Sequence, residues 1–124
     1  MENFKKFQVE RKSNIPFFLA NINWAHEGLK ISLVSLDGYE KVHLLFDKTV
    51  YLYQVTDESY KPSSWIESAE DYYPLYYTED SDMIYKLKGD VEQIKDDKIF
   101  HFLIVGLEDI VDVLTSDLPI ISKK

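Results

Sequence analysis

With 124 residues, 45% of them hydrophobic and 29% charged, the chain has the size and composition of one soluble globular domain. It has four glycines and no cysteine, which excludes disulfides, thiolate metal sites, a cysteine nucleophile and a glycine-rich phosphate loop. A net charge of −8 leaves no basic stripe, the first requirement of nucleic-acid binding, so no nucleic acid is expected as a partner.

In chain order, the first residues, Met1 to Phe7, run into Glu10-Arg11-Lys12 with no apolar stretch, so no signal peptide is read there. The apolar run Phe102–Leu107 is too short to span a bilayer; the expected location is cytoplasmic, away from any membrane. Residues 3–22 predict two strands, the second opening on Ile15-Pro16-Phe17-Phe18. Asn21 to Gly28 reads as a loop or bulged connection carrying Trp24, His26 and Glu27. Leu29, Ile31 and Leu33 then alternate with polar residues, Asp37-Gly38 supplies a turn, and Val42, Leu44 and Phe46 return. With Thr49–Val55 this predicts a three-strand antiparallel meander across 29–55.

From residue 56 the pattern changes. Ser64-Trp65-Ile66-Glu67 fits a capping box, predicting a short helix over about 65–71. Tyr72–Thr78 reads as a strand that Pro74 places at an edge. Asp80 or Ser81 can cap a longer helix over about 81–95, with Met83, Ile84, Leu87, Val91 and Ile94 on one face. Ile99–Leu107 is apolar on both parities, as a strand covered on both faces would be, and marks the central strand. Glu108-Asp109 connects it to Ile110–Thr115, and Gly106 suits a bulge or a close backbone approach. Leu118-Pro119-Ile120-Ile121 is an apolar coda. The expected fold class is α+β: one domain, residues 1–124, with an antiparallel sheet of about six to eight strands and these two helices.

The charge is unevenly placed. Residues 57–97 hold 12 of the 22 acids and 4 of the 14 Lys/Arg, so this window is −8 and the remainder is neutral. Such a segment either keeps a small protein in solution or steers a basic partner. Tyr51, Tyr53, Tyr60, Trp65, Tyr72, Tyr73, Tyr76 and Tyr77 lie in or beside the window, and tyrosine and tryptophan are favoured interface anchors as well as core fillers. On a regular strand Tyr73 and Tyr76 point to opposite faces, so at least one of them is expected to be exposed or to lie under a helix. The candidate partner-binding residues are Trp65, Glu67, Glu70, Asp71, Tyr73, Tyr76, Glu79 and Asp80.

Catalytic chemistry finds little support. His26, His43 and His101 have no metal-ligand spacing, and neither a metal nor a cofactor is expected. His26-Glu27 beside Trp24 is the best acid–base candidate, against the plainer reading of a loop histidine bonded to backbone. His101 shares its parity with Leu103 and Val105 and is expected to be a hydrogen-bonded core histidine. The adjacent acid pairs, such as Glu70-Asp71 and Asp96-Asp97, look like solvated carboxylates.

Trp24, His26-Glu27-Gly28 and Leu29-Lys30-Ile31 lead into the meander, and His101–Val105, Val111-Asp112-Val113-Leu114 and Pro119 close the chain. In size, acidity and strand layout this resembles small acidic bacterial immunity proteins of polymorphic toxin systems. The resemblance implies a cytoplasmic, non-enzymatic inhibitor that binds one basic toxin domain, and it carries over no individual residue. The rival expectations are a small enzyme or ligand-binding protein using the Trp24–His26–Glu27 loop, and a structural subunit of a larger assembly. The pattern assigns no oligomeric state.

Overall fold

Two hairpins carry the architecture, one in each of two antiparallel sheets that pack face to face. The structure, a computed structural model, describes residues 4–9, 15–57 and 73–123. Along the chain come β1 (Lys5–Lys6), β2 (Phe17–Ala25), β3 (Gly28–Ser35), β4 (Lys41–Phe46), β5 (Val50–Asp57) and β6 (Leu75–Thr78). Then follow α1 (Asp82–Asp90), a 3-10 turn (Glu92–Ile94), β7 (Phe100–Val105), β8 (Asp109–Thr115) and β9 (Ile120–Lys123). The five-stranded sheet has the order β1-β6-β7-β8-β5 and the four-stranded sheet the order β2-β3-β4-β9.

The alternating apolar positions decide how the sheets meet. Leu29, Ile31 and Leu33 of β3 and Val42, Leu44 and Phe46 of β4 all point inward, paired in register as Leu29↔Phe46, Ile31↔Leu44 and Leu33↔Val42. Opposite them, Leu75, Phe102, Ile104, Val111 and Val113 form the inner face of the larger sheet, in the same buried cluster. The Phe46 and Phe102 rings meet edge to face across the interface at 5.4 Å. Each fully buried leucine, isoleucine or phenylalanine contributes about 1.5–3 kcal/mol against leaving it in water.

As its doubly apolar pattern predicts, β7 is the central strand of the larger sheet, and its second face is covered as well. There Leu103 packs with Tyr76 and Ile110, with Phe4 against them, while Leu114 packs with Ile84 of α1 and Ile99. Gly106 makes the expected close approach: a β-carbon there would stand 3.0 Å from the Asp109 carbonyl and 3.4 Å from the Leu19 nitrogen.

Several expectations are corrected. The α+β class holds broadly, but nine strands in two sheets exceed the six to eight expected in one. The three-strand meander stops after β4: β5 crosses to the other sheet and pairs with β8, while β4 takes the C-terminal coda, β9, as its second neighbour. Alternation sets which face of a strand is apolar but not which strand lies beside it. Residues 21–28 are not a loop. β2 runs on to Ala25, which pairs with Gly28 around a two-residue turn, His26-Glu27. Gly28 is required there, since its φ is +132° and a β-carbon would lie 2.4 Å from the Phe46 carbonyl oxygen. β6 starts after Pro74 and lies between β1 and β7, not at the sheet edge. The longer helix ends at Asp90, where Val91 turns extended (φ −128°, ψ 96°) and is exposed; a 3-10 turn returns Ile94 to the apolar cluster. The expected short helix at 65–71 lies outside the described residues.

Candidate functional site

Of the predicted partner-binding residues, Trp65, Glu67, Glu70 and Asp71 lie outside the described residues. Glu79 and Asp80 are exposed just ahead of α1, and Glu79 pairs with Lys98 at 3.5 Å. The two tyrosines belong to the packing, and neither ring is among the exposed residues. Tyr76 is 3% exposed and packs on Leu103 and Ile110. Tyr73 is half-buried; its hydroxyl donates to the Phe7 carbonyl at 2.6 Å and accepts from the Val9 N–H at 2.8 Å, tying the N-terminal segment to the sheet. Tyr77 stacks on Phe102 and Tyr53 is half-buried.

Apart from Asp57, the described acids of the 57–97 window lie on one covering segment. Glu79, Asp80, Asp82, Asp90, Glu92, Asp96 and Asp97 are all exposed on the stretch from the end of β6 to the start of β7, against Lys86, Lys88, Lys95 and Lys98. The segment buries Ile84, Leu87 and Ile94 against the outer face of the sheet and turns its charged side to water. Tyr85, 62% exposed, projects from α1 among these acids with its hydroxyl donating to Asp80. That bond to a carboxylate, together with the Asp80 charge, holds the Tyr85 phenol above its ordinary pKa. On a different side of α1 from Tyr85, Leu52 and Gln54 of β5 and Met83, Lys86, Leu87 and Asp90 of α1 line a groove of about 250 Å³. Tyr51 donates to Asp97 at 3.2 Å; burial and that carboxylate both raise its pKa.

Under α1 lies a polar network that no spacing in the sequence announces. Ser81 caps the helix, its hydroxyl accepting from the Ile84 N–H at 3.2 Å, as the expected capping position allows. The same hydroxyl lies 2.8 Å from His101 Nδ1, and His101 Nε2 lies 2.7 Å from Asp112 Oδ1. Gln54 Nε2 reaches the second Asp112 oxygen at 3.4 Å, and Phe4 packs edge-on against the imidazole. A carboxylate can only accept, so Nε2 donates to Asp112, and the Ser81 hydroxyl closes the network at Nδ1. His101 is thus the hydrogen-bonded core histidine that its parity predicts.

Serine, histidine and aspartate are also the residue types of an acyl-transfer triad. Here, however, Ser81, His101 and Asp112 are each 1% exposed, and the Ser81 hydroxyl is occupied by the ring on one side and the helix cap on the other. In this geometry the network fastens the N-terminus of α1 to β7 and β8. The other candidate, His26-Glu27, is an exposed turn, while Trp24, 51% exposed, leans on Tyr53 with ring centroids 5.2 Å apart. His43 bonds Ser32 through Nδ1 at 2.7 Å on the outer face of the smaller sheet. Among the described residues no group of three or more His, Asp or Glu is placed to hold a metal ion, and no helix is long and apolar enough to cross a membrane.

Comparison with known proteins supplies no analogy: no family model, curated protein or solved structure matches this chain.

Proposed function

We propose that the chain is a non-enzymatic protein-binding domain, an immunity-type inhibitor that covers the basic site of a toxin domain. The observation that carries this reading is the acidic covering segment, which bears seven exposed carboxylates and the exposed ring of Tyr85, bonded to Asp80, on an element fastened to the core. Carboxylates at a rim speed and orient encounter with a cationic surface, and an aromatic ring beside them supplies area that slows dissociation. The anchor is therefore moved from Tyr73 and Tyr76 to Tyr85. The buried network serves the same end, because a partner that pulls on α1 pulls against a helix held at its first turn by Ser81.

The test is co-expression with the product of the adjacent gene, since an inhibitor of this kind is encoded beside its toxin. The expected result is a stable complex and protection of the host cell. In that complex Asp90→Asn with Glu92→Gln should slow association severalfold at low salt and hardly at all near 0.5 M, where charges are screened beyond a few ångströms. Tyr85→Ala should instead raise the dissociation rate. Absence of both complex and protection rejects the inhibitor reading.

A further inference from the structure

The open edges of the two sheets are built differently. β1 is two lysines and β9 ends in Lys123, and short lysine-bearing strands are a usual guard against pairing with another chain. On the opposite side of the sandwich lie β2 and β5, nine and eight residues long. β2, Phe-Phe-Leu-Ala-Asn-Ile-Asn-Trp-Ala, has no charge at all, and β5 has one, Asp57, at its last position. Among the described residues no strand pairs with β2 on the side away from β3. Its only irregularity is a bulge between Leu19 and Asn21.

At its first residue this edge meets the β7–β8 turn, where the Phe17 carbonyl accepts from the Leu107 N–H at 2.8 Å. That turn and β2 enclose a groove of about 310 Å³, walled by Phe18, Leu19, Leu36 and Leu107 and rimmed by Glu108 and Asp109. Phe18, Leu36 and Leu107 are 37%, 58% and 38% exposed, so a contiguous apolar surface lies beside the edge of β2 that no other described strand pairs. Asp109 itself is held in register on β8, opposite Asp57 of β5.

We propose that the edge of β2 and this groove form a docking site for an extended basic strand of a partner protein. The strand would add to β2 through main-chain hydrogen bonds, place one apolar side chain in the groove, and set lysine or arginine against Glu108 and Asp109. Charge selects this occupant over a second copy of the chain. Another β2 brings no cation to the rim, and two chains at −8 each repel. The proposal rests on the protein-binding reading but uses a different face from the acidic covering segment.

The experiment uses the full chain and a fluorescein-labelled heptapeptide of alternating lysine and valine, with a glutamate-for-lysine peptide as control. Anisotropy at 0.05 M salt should show saturable binding of the basic peptide alone, about tenfold weaker at 0.3 M salt. Hydrogen exchange should slow at the β2 amides. Asn21→Lys and Glu108→Lys, both at exposed positions, should each weaken binding by about fivefold or more with the melting temperature unchanged. Asp90→Asn with Glu92→Gln should leave peptide affinity as it was. If those α1 substitutions abolish binding while Asn21→Lys and Glu108→Lys do not, the edge proposal fails and the acidic-segment reading stands. Protection of β2 in a peptide-free dimer, or no binding by about 1 mM, also overturns it.

Discussion

The two faces of the five-stranded sheet solve the burial problem in different ways. The middle of the inner face is apolar: Phe100, Phe102 and Ile104 of β7 and Val111 and Val113 of β8 meet the other sheet, with Tyr53, Tyr77 and Thr115 toward its margins. The outer face is equally buried but mixed. Leu103, Ile110 and Leu114 share it with His101 and Asp112, and Ser81 closes over them from α1. The inner face needs only complementary shape. The outer face must also satisfy every donor and acceptor it takes from water, so it tolerates just one placement of the helix cap. A face of the first kind stabilises; one of the second kind specifies which segment covers it.

The largest expected effect tests that difference at Asp112. Asp112→Ala strands the His101 N–H in a site 1% exposed, and removal of one partner from such a buried pair costs about 3–5 kcal/mol. Ile104→Ala on the inner face should cost about 2–5 kcal/mol through lost burial and a cavity alone, with no polar group left behind. The double change His101→Leu with Asp112→Leu sharpens the contrast, since it removes both demands together. Urea melts should find it less damaging than Asp112→Ala by itself. If the double variant is the worse of the two, the network stabilises the fold outright and the distinction between the faces fails.

Next in size is the contact that joins the helix to the network. Ser81→Ala deletes the acceptor for the Ile84 N–H and the neighbour of His101 Nδ1 in one step, for about 1–2 kcal/mol. Because the loss is concentrated at the first turn of α1, amide exchange there should quicken before the β7 and β8 amides respond. Uniform acceleration through the sheet would mean that the cap and the core open as one unit.

The contrast also explains what was legible beforehand. Period-two alternation showed which residues of β3, β4, β7 and β8 face inward, and the doubly apolar run at Ile99–Leu107 marked the central strand. Strand order was not legible: β5 looks like the third strand of a meander, yet Thr49 and Val50 are drawn to β8, where the Thr49 carbonyl accepts from the Thr115 hydroxyl at 2.9 Å. The bulge in β2 hid the second half of that strand, because one extra residue between Leu19 and Asn21 breaks the alternation that a strand is recognised by. Tyr73 and Tyr76 were ambiguous for a chemical reason, since a phenol suits a core with a backbone acceptor as well as it suits an interface. The polar network left no trace at all. Ser81 precedes His101 by 20 residues, and Gln54 is 58 residues from Asp112, separations that only the sheet register closes.

The smallest effect belongs to a region with neither kind of burial, the turn between β3 and β4. There the Ser35 hydroxyl donates to Asp37 Oδ1 at 2.6 Å and the Tyr39 N–H donates to the same oxygen at 3.1 Å. Chiefly through the serine bond, and then through the backbone bond from Tyr39, the carboxyl is held below its ordinary pKa of 3.8. A carboxylate whose pKa is depressed on folding adds stability above the unfolded value, and that stability is lost as the pH falls through the folded one. Asp37→Asn keeps an oxygen for both donors and removes only the charge, so it should lower the melting temperature slightly at pH 7. The gap should close in acid, wherever the fold persists, as the wild-type carboxyl takes up its proton. NMR titration of the Asp37 carboxyl carbon checks the cause directly: its midpoint should lie below 3.8 and return toward that value in Ser35→Ala. A midpoint unmoved by Ser35→Ala would assign the depression to the turn backbone, and the exposed turn would then owe nothing to its buried serine.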